Sequence, residues 1–196
     1  MHQQLNMLVT HLTTAQLEAG LDEIRQSPKD AGEVKLIVRR PKVGHREVLD
    51  EGQLDTADGL LGDTWKFRGS RHMPDKTAPH PAMQINIMNA RAVALVAQHP
   101  DRWALAGDQL YVDLDLSLEN LPAGTRLAIG EAILEVTPQP HTGCGKFVER
   151  FGLDAMKFVN SPVGRQLNLR GINARVVQSG RVKRGETIRV VSRRSS

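Results

Sequence analysis

The residues best suited to chemistry fall in one run of this 196-residue sequence, Pro138-Gln139-Pro140-His141-Thr142-Gly143-Cys144-Gly145-Lys146. Cys144 is the single cysteine, and a thiolate is both a nucleophile and a soft metal ligand. The preceding stretch, 131–137, alternates apolar and polar residues over part of its length, as a strand does. Pro138 and Pro140 end it, because proline has no N–H to donate to a sheet ladder. The thiol is therefore expected in a loop just past a strand end, where Gly143 and Gly145 let the backbone approach a ligand. A cation close by favours the thiolate over the thiol, and Lys146 and a protonated His141 are near in sequence. The competing reading is a small buried apolar cysteine with no chemistry. Such a residue needs neither flanking glycines nor a histidine and a lysine within three positions.

A second concentration of polar chemistry is Arg68-Gly69-Ser70-Arg71-His72-Met73-Pro74-Asp75-Lys76. Arg71 and His72 are candidate anion contacts, since guanidinium groups bind phosphate in a bidentate fashion. The competing reading is an exposed basic loop. Gly164-Arg165 and Arg170-Gly171 offer further basic groups next to glycines. One cysteine excludes an intrachain disulfide framework and a cysteine-rich zinc site. The sequence contains neither a Gly-x-Gly-x-x-Gly fingerprint nor a phosphate loop ending in Gly-Lys-Ser/Thr.

These groups need a scaffold, and the pattern predicts a mostly β one. Strands are expected at 34–38, 83–88, 109–114, 126–129, 131–137, 172–178 and 186–191, from period-2 alternation bounded by turn residues. Residues 44–63 read as polar and turn-rich. The 83–88 strand should turn one side to the core, leaving Gln84 and Asn86 to line a cavity or to face water. A helix over 90–98 is capped by Asn89. A second runs over 151–159 and stops at Asn160-Ser161-Pro162. Near the N-terminus, Thr13 and Gln16 form a capping box for a helix over 13–26 with Leu17, Leu21 and Ile24 on one face. Many short strands and few helices argue for a barrel. The chain divides into an N-terminal helical appendage (1–32), a barrel domain (33–192) and a basic tail (193–196).

The segment Glu135-Val136-Thr137-Pro138-Gln139-Pro140-His141-Thr142-Gly143-Cys144-Gly145-Lys146-Phe147, followed by Arg150-Phe151-Gly152, resembles the MOSC family. Its members are similar to the C-terminal part of molybdenum-cofactor sulfurases. Leu169-Arg170-Gly171-Ile172-Asn173-Ala174-Arg175-Val176 and Ser179-Gly180-Arg181-Val182-Lys183-Arg184-Gly185-Glu186 extend the resemblance. It spans about residues 33–192 and is most specific over 130–190. The family's hallmark cysteine falls on Cys144. The resemblance implies an α+β fold dominated by a MOSC-type β-barrel with a few peripheral helices. It also implies the molybdenum cofactor (molybdopterin), with Cys144 as molybdenum ligand and catalytic residue. His141, Thr142, Lys146, Arg170, Arg71 and His72 would then be the cofactor contacts around an anionic pterin. The Arg68–Lys76 loop departs from the glycine-rich form that many relatives carry there.

Three functions follow from the resemblance. The first is reduction of N-hydroxylated substrates, with electrons from a partner electron-transfer protein, because the chain has no flavin or iron–sulfur motif. The second is sulfur carriage as a persulfide on Cys144. The sulfur would come from a partner cysteine desulfurase, since this sequence has no pyridoxal-phosphate domain. The third is a non-catalytic cofactor-binding module. Composition adds exclusions. A net charge of +4 with scattered basic residues is no nucleic-acid footprint. Two tryptophans, one tyrosine and four phenylalanines are too few for a base-stacking platform. With no secretory signal and no run of about 20 apolar residues, a cytoplasmic protein off the membrane is expected.

Overall fold

Thr13 opens the fold as a capping box with Gln16, each taking the other's backbone N–H. The computed structural model describes residues 10–193. Residues 1–9 of the expected appendage and 194–196 of the expected tail lie outside them. The helix expected over 13–26 is two short ones, α1 (Thr14–Ala19) and α2 (Leu21–Arg25), separated at Gly20. Leu17 and Ile24 are buried from them.

The strands follow as β1 (Ala31–Arg39), β2 (Glu47–Leu49), β3 (Glu51–Asp55), β4 (Gly59–Leu60) and β5 (Ile85–Asn89). Helix α3 (Ala90–Ala97) is capped by the Asn89 side chain, which accepts from Ala92 N at 2.9 Å. Next come β6 (Leu110–Asp113), β7 (Arg126–Ile129) and β8 (Ala132–Val136), then α4 (Gly145–Phe151), α5 (Leu153–Asn160) and α6 (Pro162–Gln166). The chain ends with β9 (Ile172–Gln178), β10 (Gly180–Lys183) and β11 (Thr187–Ser192).

Seven strands in the order β11-β7-β8-β9-β5-β6-β1 form a sheet that closes on itself through β1–β11 pairing, Ala31 opposite Arg189. The fold is thus the mostly β barrel with peripheral helices that the sequence pattern predicts. All neighbours are antiparallel except β5 and β6, whose connection through α3 has the length that a parallel pair requires. Strands β3, β4 and β10 make a small second sheet.

Alternation along the strands builds two cores. Ile85 and Ile87 of β5, Leu110 and Val112 of β6, and Ile172 and Ala174 of β9 fill the barrel. Met88 and Tyr111 point the other way, into a layer with Leu17, Val93, Phe147, Phe151 and Phe158 from the helices. The outer face of this wall is therefore covered too, and Gln84 and Asn86 are buried rather than wet. Gln84 Oε1 accepts from Val176 N at 2.6 Å, and its Nε2 donates to Thr56 O at 3.0 Å.

Three local details differ from the sequence reading. The turn-rich stretch 44–63 holds β2, β3 and β4; β2 and β4 are too short to show alternation, and in β3 one of the two buried positions is Gly52, which carries no apolar signal. The helix expected to stop at Asn160-Ser161-Pro162 does stop there, with α5 ending at Asn160, but an unexpected further helix then opens at Pro162. Pro162 occupies the first turn of α6, where its missing N–H costs nothing, and Ser161 caps the helix by accepting from Gly164 N at 3.0 Å. Cys144 stands at the head of α4, a helix absent from the sequence reading. Among the described residues no helix is long and apolar enough to cross a membrane.

Candidate functional site

After β8 the chain cannot continue a ladder through Pro138 and Pro140, and side-chain amides replace the missing pairing. Thr137 N donates to Asn173 O at 2.9 Å and its hydroxyl to Ala82 O at 2.6 Å. Asn173, fully buried on β9, sends Nδ2 to the carbonyls of Gln139 (3.0 Å) and Pro140 (3.3 Å). Its Oδ1 accepts from Asn86 Nδ2 at 2.7 Å. Asn86 Oδ1 in turn accepts from Arg40 Nη1 at 3.1 Å, and Arg40 grips Asp63 with Nε at 2.7 Å and Nη2 at 2.8 Å. All four side chains are buried. A satisfied buried polar chain of this kind fixes one arrangement, because leaving any member unpaired is costly.

A second buried group sits beneath the same loop. His141 Nε2 lies 2.8 Å from Asp108 Oδ1, and Arg170 Nη1 donates to Asp108 Oδ2 at 2.7 Å. Arg170 Nη2 donates to Ala106 O at 2.9 Å, and its guanidinium carbon lies 5.1 Å from the Phe147 ring centre. Gly171 has φ +115°, and a Cβ there would meet Ile87 O at 2.4 Å and His141 Cδ2 at 3.1 Å. Glycine is required for His141 to pack where it does.

Burial would raise the Asp108 carboxyl, but the charge of Arg170 and the hydrogen bonds from Arg170 and His141 outweigh it and hold Asp108 below the ordinary carboxylate value. Burial, then repulsion from Arg170, pushes His141 below its ordinary 6.5 despite the Asp108 charge. The pair at neutral pH is thus carboxylate and neutral imidazole, with Nε2–H donating to Asp108. A stability prediction follows. Below about 6.5 the unfolded chain takes up a proton at residue 141 that the folded chain refuses, so stability falls with pH there and is fully present above it. Urea unfolding across pH 5–8 should show this slope in the wild type and a shallower one in His141→Gln. Equal slopes would contradict the assignment.

The thiol is placed by a third contact. Asn160, the last residue of α5, brackets Gly143: its Oδ1 accepts from Gly143 N at 2.9 Å and its Nδ2 donates to Gly143 O at 3.2 Å. Cys144 follows in extended conformation (φ −133°, ψ 179°) as the N-cap of α4, and its carbonyl accepts from Phe147 N and Val148 N. The side chain is exposed, which removes the buried-filler reading. Gly145 has no heavy atom within 4 Å of where a Cβ would stand, leaving open space beside the thiol.

Cys144 faces a cleft of about 380 Å³. His141, Thr142, Arg170, Arg71 and His72 line it as well, so six of the seven residues singled out from sequence share one cleft. The seventh, Lys146, is exposed on α4 and does not line it. The wall carries Arg40, Arg68, Arg71 and Arg170 with three histidines, and no aspartate or glutamate. Asp63 and Asp108 neutralise Arg40 and Arg170 from behind. Arg68, whose side chain is still 45% exposed, is left with a long 3.8 Å approach to Asp63, and partial burial and the charge of Arg40 push it down to about 10. It stays cationic at neutral pH, and a bound anion offsets that strain.

Sequence reasoning missed Asp108, Asn160 and Asn173. Asn173 carried a usable signal, a carboxamide inside the apolar run Ile172–Val176, where a buried polar group must be paired. Asp108 in Gly107-Asp108-Gln109 and Asn160 before Ser161-Pro162 were hidden as turn residues. Among the described residues no group of three or more His, Cys, Asp or Glu side chains could hold a metal ion.

A MOSC domain family model matches residues 74–189, more than half of the chain. The matched segment contains Asn86, Asp108, His141, Cys144, Asn160, Arg170 and Asn173, whereas Arg40, Asp63, Arg68, Arg71 and His72 lie before it. No curated protein matches the sequence. Among solved structures, the YUAD protein from Bacillus subtilis is similar at 19% identity and TM-score 0.60, covering 84% of this chain and 97% of that one. YiiM from Escherichia coli is similar at 22% identity and TM-score 0.54, covering 84% and 72%. YiiM from Geobacillus stearothermophilus follows at 15% identity and TM-score 0.55, covering 83% and 76%. At these identities the likenesses show the fold alone. MOSC domains are associated with molybdenum-cofactor binding, and this chain, matched over 74–189, which includes the Cys144 loop, belongs to the MOSC family.

Proposed function

We propose that the cleft holds the molybdenum cofactor, with the Cys144 thiolate as metal ligand and Arg68 and Arg71 facing the pterin's phosphate. The observation that carries this reading is the composition of the cleft wall: one exposed soft thiol among four arginines and no carboxylate. A thiolate suits a soft metal, and incompletely neutralised guanidinium groups suit a phosphate. The donor set therefore fits the group. When bound, the cofactor supplies two-electron oxidation–reduction chemistry.

The chain's own part is positioning. The Arg40–Asn86–Asn173 relay and the Asn160 bracket hold the loop that carries the thiol. His141 spends its Nε2 proton on Asp108. Reduction of an N-hydroxylated substrate takes two electrons and two protons and releases an amine and water. Those electrons come from a partner protein, because one cysteine cannot build an iron–sulfur cluster.

The test is molybdenum per chain, by mass spectrometry, on protein purified from molybdate-supplied cells. The wild type should carry the metal. Arg68→Gln/Arg71→Gln should retain it at least about tenfold less well, since each charge-assisted hydrogen bond is worth about 1.5–3 kcal/mol. Metal retained equally by the double variant overturns the phosphate assignment. A second reading, the persulfide carrier, is favoured by the exposure of the thiol and its lack of a side-chain capping bond, which leave it open to a sulfur-donating partner. Cyanide-releasable sulfur without molybdenum would establish that reading in place of the first. Pterin retained without turnover would leave a cofactor-binding module.

A further inference from the structure

Behind the Thr137–Thr142 segment lies a second cavity, of about 430 Å³, that the Cys144 cleft does not use. Its volume falls in the range of small-molecule sites, which combine an apolar wall with a few placed polar groups. Leu121, Val136, Val159 and Ile172 supply a buried apolar wall. No aspartate or glutamate lines it.

Two arginines do. Arg165 is exposed, makes no ion pair among the described residues, and uses Nε for a 3.1 Å bond to Asn160 O. Arg170, whose side chain is 8% exposed, has a buried Nε with no hydrogen-bond partner. Such an orphaned donor is rare in a folded protein and asks for an acceptor or a rearrangement that supplies one. An apolar wall, an uncommitted cation at its edge and no opposing carboxylate together select one chemistry.

We infer that this cavity is a binding site for a small organic acid, its apolar body against Leu121, Val136 and Ile172 and its carboxylate on Arg165. The site is distinct from the cleft but shares a wall with it. Pro140, His141, Thr142 and Arg170 line both, so an occupant packs against the back of the segment that carries the thiol. The inference does not rest on the molybdenum reading and stands or falls on the purified chain alone.

The probe is 2-naphthoate, compared by calorimetry with 2-naphthalenemethanol and 2-naphthylmethylammonium, which keep the ring system and change the charge. Naphthoate should bind one per chain, and the alcohol roughly tenfold more weakly or worse, the scale of one charge-assisted hydrogen bond. The ammonium compound should not saturate. Arg165→Gln should bring naphthoate down to the affinity of the alcohol. Ala123→Phe, at an exposed lining position, should abolish both by filling the cavity. Cys144→Ser and Arg71→Gln should bind naphthoate like the wild type. Absence of saturable naphthoate binding overturns the inference, as does equal binding of acid and alcohol. Loss in Arg71→Gln with retention in Arg165→Gln also overturns it, by placing the acid in the Cys144 cleft.

Discussion

Asp108→Asn is expected to cost about 3–5 kcal/mol of folding stability, the scale for removing one partner of a buried ion pair. For a chain of this length that corresponds to a fall in melting temperature of roughly 6–20 °C. Asp108 is fully buried and its two oxygens serve two partners, His141 and Arg170. Asparagine keeps the shape but has one acceptor oxygen and an amide that repels the donors. The Arg170 charge, 8% exposed, is then left without a counterion. An exposed pair gives the comparison. Arg39–Glu47, with side chains 32% and 46% exposed, is worth about 0–1 kcal/mol, so Glu47→Gln should shift unfolding little. Asp108→Asn/Arg170→Met should recover part of the loss, because it removes the stranded charge along with its partner. A single Asp108→Asn variant that unfolds like Glu47→Gln would show that the triad is not the clamp described here.

The barrel was legible because its signal is local. Leu127–Ile129, Ala132–Val136 and Ile172–Val176 alternate or run apolar, and glycine turns punctuate them, so periodicity places them within a residue or two. The same rule served for the 83–88 strand, where Asn86, on the face that alternation assigned to a cavity or to water, lines the cleft and is held there by Arg40 and Asn173. Strands of two and three residues such as Gly59–Leu60 hold no full period and had no signal to give.

The site was half legible. Cys144 and His141 sit in one motif, and their types and spacing announce chemistry. Arg71 and His72 read as a basic loop, and only folding brings that loop to the thiol. The residues that position the motif could not be found this way. Asp108 is 33 residues from His141 and 62 from Arg170, and Asn86 is 87 from Asn173. Nothing in a linear pattern pairs such distant groups. Conversely, Lys146 looked well placed by adjacency, but the helical turn that begins at Gly145 carries it away from the cleft. Adjacency in sequence is a poor guide wherever an undetected helix rotates the neighbours by about 100° per residue.

Cys144→Ser should abolish function while leaving the protein as stable as before, or slightly more stable. The position is exposed, so loss of sulfur packing costs within about 0.5 kcal/mol. Its backbone is extended and it stands as N-cap of α4 without a side-chain capping bond. Serine is among the preferred residues in that conformation, because its hydroxyl accepts from the second or third helical N–H. A residue chosen for stability at this position would be serine. Cysteine forgoes that bond and offers a thiol to a cleft lined by arginines. The substitution therefore separates two explanations that usually fail together. Thermal unfolding should give a midpoint equal to or above that of the wild type. Bound molybdenum, cyanide-releasable sulfur and N-hydroxy reduction should all be lost, since a hydroxyl neither ligates a soft metal well nor forms a persulfide. Native iodoacetamide should label the wild type without denaturant and leave the serine variant untouched. A serine variant that keeps metal, sulfur and activity would remove Cys144 from the chemistry, and one whose only defect is early unfolding would make it a structural residue of the α4 cap.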